Sequence, residues 1–147
     1  MVTKFNTEIE LYIRGEGRPI ITYGINNSKP TTATIVDKDV TLKFNVDLDI
    51  GTNEIFVDFN NKTNDTPDMA VIIEAVTVEG FCLDRFKWAG IYTPIYPEPW
   101  ASQQVGPLPP TIPSATYMGW NGRWSMTFTV PIFTWIHQLE HLGWIYE

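Results

Sequence analysis

His137 and His141 stand four positions apart with Glu140 between them. On a helix that spacing puts both imidazoles on one face, as a zinc ion requires. A zinc peptidase also needs a third protein ligand well downstream, and the sequence supplies none, so the pair reads as two histidines of a surface or interface helix. A second group is richer in oxygen. Asn60, Asn61, Asn64, Asp65, Asp68 and Glu74 gather carboxylates and amides around one polar loop and the apolar run that follows it. Such hard donors suit calcium. Asn60, Asn61, Asp68 and Glu74 are therefore the candidate metal ligands, and calcium is the one cofactor the chain suggests.

Covalent chemistry finds less support. Cys82 lies between Phe81 and Leu83, a setting that suits burial better than thiolate activation, and it stands alone, so no intrachain disulfide is expected. There is no G-x-S-x-G elbow and no glycine-rich phosphate loop. The pairs Asp37/Asp39 and Asp47/Asp49 are of the kind that stabilise turns by bonding to nearby backbone. The chain is expected to bind rather than to catalyse.

Its binding surface is suggested by the aromatics. All six tryptophans fall between Trp88 and Trp144, whereas most of the carboxylates precede them. Rigid Trp and Tyr side chains are the usual anchors of interfaces. Trp88, Tyr92, Tyr96, Trp100, Trp120, Trp124, Trp135 and Trp144 are the candidate contact residues. A net charge of −7 argues against a nucleic-acid partner, which needs clustered Lys and Arg, and against an anionic membrane surface.

The elements that must position these residues read as strands. Apolar and polar residues alternate over 7–13, 20–25, 31–36, 40–46 and 54–59, with polar turns between them, and 69–78 is an apolar run broken by Glu74. That run is expected to be a central strand whose carboxylate must be paired, hydrogen-bonded or bound to a cation. The spacing predicts an all-β fold, an antiparallel β-sandwich of the jelly-roll kind. Seven prolines between Pro94 and Pro113 exclude helix and central strand there. Beyond them, Asn121-Gly122 signals a hairpin between 117–120 and 123–124, and 133–142 a short helix. The division expected is a jelly roll over 1–84 and a Pro- and Trp-rich extension over 85–147, either an assembly arm or the completion of the same domain.

Two resemblances add to this. The stretch Ile55-Phe-Val-Asp-Phe-Asn-Asn, a polar loop, and Asp68-Met-Ala-Val-Ile-Ile-Glu-Ala-Val-Thr-Val-Glu-Gly80 resembles the calcium-dependent xylan-binding type of carbohydrate-binding module. In those jelly rolls an Asn-Asp strand end is followed by a loop and a D-R-N-L-x-V-D-x-I-x-V-D-G strand. Asp68, Glu74 and Gly80 match that pattern, while Met69 and Ala70 replace its Arg and Asn, and Asn61 its Asp. This implies a glycan ligand, held through calcium. The tail, Tyr117-Met-Gly-Trp-Asn-Gly-Arg-Trp and then Trp135-Ile-His and Gly143-Trp-Ile-Tyr-Glu, looks like the ends of small virion proteins of tailed phages, marine and cyanobacterial ones above all. That likeness implies a non-enzymatic structural role in capsid decoration or at the tail or baseplate. Its expected partners are other virion proteins, a homo-oligomer and host-surface polysaccharide. With no apolar signal stretch at the amino terminus, the chain is expected to be made in the host cytoplasm and to reside in the virion.

Overall fold

A computed structural model describes residues 4–26, 34–63, 65–82, 84–98 and 100–139. Among these, eleven strands form two antiparallel sheets. The first sheet has the order β10 (Tyr117–Met118), β6 (Ala70–Val78), β1 (Lys4–Glu16), β4 (Asp39–Asp49), and β7 (Phe81–Cys82) also pairs with β6. The second runs β3 (Thr34–Ile35), β2 (Ile20–Ile25), β5 (Gly51–Phe59), β11 (Gly122–Val130), β8 (Gly90–Pro94), β9 (Ile112–Pro113). Helix α1 (Asp84–Trp88) lies against β6, and α2 (Ile132–Leu139) lies against β11.

Period-two alternation explains which face each strand buries. Thr7, Ile9, Leu11 and Ile13 of β1 point inward, as do Trp124, Met126, Phe128 and Val130 of β11, and the two sets meet in one apolar core. The outward face of β11 carries Arg123, Ser125, Thr127 and Thr129. Phe56 of β5 is 2 % exposed although it lies on that outer face. The Arg123 guanidinium covers its ring at 4.1 Å while bonding bidentately to Asp58 at 2.7 and 2.9 Å.

The all-β sandwich expected from the pattern is present, and strands from beyond residue 84 lie inside both of its sheets. β11 sits between β5 and β8, and β10 is paired to β6. The expected Asn121-Gly122 hairpin is not formed. Tyr117 and Met118 pair with Ile72 and Val71 of the first sheet, whereas Gly122 opens β11 in the second, so the dipeptide carries the chain from one sheet to the other. Likewise Ile50 is the step from β4 to β5 across the sandwich. The helix expected over 133–142 begins at Ile132 and is described to Leu139.

Glu74 keeps its place in a central strand by leaving the pleat. Tyr12 pairs with Ala75 and Ile13 with Ile73, so Glu74 is the extra residue of a β-bulge, and its carboxylate reaches Arg14 at 3.2 Å. Three of the candidate contact aromatics prove to be core. Trp124 is fully buried and its indole N–H donates to the Ala115 carbonyl at 2.8 Å. Trp135 stacks on Phe86 with centroids 5.6 Å apart, and Tyr92 is buried beneath the loop before β11. Gly90 is required beside Trp124, because a Cβ there would lie 2.1 Å from the indole nitrogen.

Candidate functional site

At one end of the second sheet three neighbouring strands finish level, since Gly122 is paired with both Phe59 and Pro94. The loop leaving β5, the loop leaving β8 and the loop entering β11 therefore meet. Between them lies an open groove of about 390 Å³ lined by Lys62, Thr63, Tyr96, Glu98 and Trp120, with Ile95, Pro97 and Asn121.

The groove is held in shape from below and behind. The Asn121 side chain accepts from the Lys62 amide at 2.9 Å and donates to the Lys62 carbonyl at 3.0 Å, pinning the β5 loop to the β11 loop. The Ile95 amide donates to the Asn121 carbonyl at 2.8 Å, which adds the β8 loop. Trp120 is fixed by Tyr92, whose hydroxyl donates to its carbonyl and accepts from its amide at 3.1 Å. Burial pushes the Tyr92 phenol up to about 12. Tyr96 stacks on Trp100 at 6.0 Å, and its hydroxyl donates to the Pro109 carbonyl. Prolines here restrict the free chain and so help to preorganise the aromatic wall.

Charge in the groove comes from Lys62 and Glu98. The Lys62 ammonium donates to the Gly119 carbonyl and stands 4.6 Å from the centre of the Trp120 ring. Burial lowers its pKa from the ordinary lysine value, with Asp68 acting in the opposite sense. The Glu98 carboxylate accepts from the Ser102 hydroxyl and amide. Half-exposed aromatic faces, an ammonium and a carboxylate are the groups that contact the C–H faces and hydroxyls of a sugar.

The sequence-derived metal ligands are not gathered into one shell. Asn60 and Asp68 are exposed, and the Asn61 side-chain oxygen accepts from the Ile20 amide at 2.8 Å. Glu74 lies four residues into β6, roughly 13 Å beyond Ala70 at strand rise, with Arg14. Among the described residues no three His, Cys, Asp or Glu side chains converge to hold a metal ion. Of the aromatic set, Tyr96 and Trp120 line the groove, Trp100 stacks on Tyr96, and Trp88 is exposed elsewhere beside Lys87 at 5.5 Å. Trp144, Asn64 and His141 lie outside the described residues, as do the side chains of His137 and Cys82. Lys62 and Glu98 were not singled out by sequence. The available signal was that Lys62 is the one cation in the polar loop 60–68.

No family model matches the chain, and no curated protein does. Solved structures match it in fold. vCBM60 in complex with galactobiose is 19 % identical, covering 81 % of this chain and 96 % of its own, with a TM-score of 0.51. A selenomethionine form of vCBM60, from work on circular permutation as the evolutionary link between two families of calcium-dependent carbohydrate binding modules, is also 19 % identical. It covers 82 % of this chain and 89 % of its own, with a TM-score of 0.51.

Proposed function

We propose that the chain is a non-catalytic carbohydrate-binding module that takes a glycan in the groove of Lys62, Tyr96 and Trp120. The observation that carries this reading is the aromatic wall at the loop end of the sandwich, with Trp120 locked by Tyr92 and Tyr96 by its stack on Trp100. Ring faces fixed before the ligand arrives lower the ordering cost of binding. The shared fold with vCBM60, one form of which holds galactobiose, supports it. Calorimetric titration with galactobiose, soluble xylan and soluble galactan tests it. Saturable heat that disappears in Trp120→Ala is the expected result, and no heat with any glycan would sink the reading.

A second reading, assembly into a larger particle such as a virion, draws on a different face. Phe81 and Phe133 are each more than half exposed and meet edge to face at 6.3 Å. Such paired exposed rings mark contact surfaces. Light scattering after size exclusion decides it. A defined oligomer dispersed by Phe133→Asp would support assembly, and a monomer would refute it.

A further inference from the structure

Resting on the glycan reading, we infer that this groove recognises sugar without a divalent cation and that the Lys62 ammonium supplies the fixed positive charge in its place. Calcium takes six to eight oxygen ligands drawn close around it. Among the described residues no three acidic, His or Cys side chains converge here, and several of the groove's oxygens already have partners. The Asn61 side-chain oxygen is engaged by the Ile20 amide, that of Asn121 by the Lys62 amide, and the Glu98 carboxylate by Ser102. Glu74, the acidic residue in the apolar run, is turned out by its bulge onto Arg14 of the neighbouring strand β1, both in the first sheet and not in the one that carries the groove.

The positive charge beside the Trp120 ring is an ammonium. Lys62 is fixed at both ends: Asn121 grips its backbone, and the Gly119 carbonyl and the Trp120 face grip its tip. A divalent ion in the same groove would meet that charge at close range, with unfavourable Coulomb energy. An ammonium has three donors, and the Gly119 carbonyl takes one while the Trp120 face offers no lone-pair acceptor, so donor capacity remains for the ligand. A donor at a fixed point beside an aromatic face suits a hydroxyl of a neutral sugar whose C–H face rests on Trp120.

The test is calorimetric titration of the full chain with galactobiose, soluble xylan and soluble galactan, each in calcium and in excess chelator. Melting curves in the two buffers accompany it. Equal affinity in both buffers, equal melting temperatures, and a loss of about tenfold or more with Lys62→Met are expected, as for removal of a charge-assisted hydrogen bond. Lys62→Arg should recover part of that loss, because the charge is kept. Binding that needs calcium, or a melting temperature raised by calcium and restored by chelator, overturns the inference and leaves the glycan reading standing. Unchanged affinity in a folded Lys62→Met overturns it too. An absence of binding to every glycan in both buffers sinks the glycan reading, and the inference with it.

Discussion

Tyr92 and Trp120 are bonded in both directions: the phenol donates to the Trp120 carbonyl and accepts from the Trp120 amide at 3.1 Å. One buried hydroxyl thus satisfies both backbone polar groups of a residue whose ring faces the groove. In Tyr92→Phe both groups lose their partner, which is expected to cost about 1–3 kcal/mol in urea unfolding. The same variant should bind glycan more weakly although Tyr92 never touches it, because Trp120 is no longer held. Parent-like stability and affinity in Tyr92→Phe would show that the pair is incidental.

The same phenol sets the alkaline limit of the fold. Its pKa is raised from 10.0 to about 12, chiefly by burial. A group raised in the folded state contributes stability that is fully present below its unfolded value and is lost as pH climbs through the folded one. Stability should therefore fall between about pH 10 and pH 12 through this group. Tyrosinate absorbance is expected to show one tyrosine ionising later than the others and together with unfolding. Smooth ionisation of all tyrosines before unfolding would contradict it.

Gly90 tests the packing on the inward face of the second sheet, the face that Tyr92 and Trp124 share. A methyl group there would meet three indole atoms of Trp124 at 2.1 to 2.3 Å. Trp124 cannot retreat without losing its bond to the Ala115 carbonyl. Gly90→Ala should therefore cost about 3 kcal/mol, a fall of roughly 10 °C in melting temperature. A melting curve like that of the parent would mean that Trp124 has room the structure does not show.

What the sequence disclosed and what it hid follow from the range of the interactions. Alternation is local, so the strands at 7–13, 40–46 and 54–59 could be read directly, and they occur as the cores of β1, β4 and β5. The hairpin signal at Asn121-Gly122 misleads because turn chemistry is local while strand choice is not. Met118 pairs with Val71, a partner that no nearby residue announces. Composition could not sort the tryptophans either, for Trp124 is fully buried while Trp88 is 48 % exposed. The groove is the most hidden feature. It is closed by a contact between Lys62 and Asn121, 59 positions apart, and its aromatic wall joins Trp120 of one of those loops to Tyr96 of a third.

The exposed rings allow the two functional readings to be separated in one set of variants. Trp120 and Tyr96 line the groove, whereas Trp88 and Phe133 stand on other surfaces and are about half exposed. Truncating a central aromatic anchor commonly costs 2 kcal/mol or more, about thirtyfold in affinity, so Trp120→Ala and Tyr96→Ala should each abolish measurable glycan binding at millimolar ligand. Trp88→Ala and Phe133→Asp should leave the titration curves unchanged. Light scattering on the same four proteins reads the other property, and a groove used for sugar predicts equal mass for parent, Trp120→Ala and Tyr96→Ala. Should Trp120→Ala alter the mass while the glycan heat persists, the groove would be a protein contact and the sugar site would have to be sought elsewhere on the sandwich.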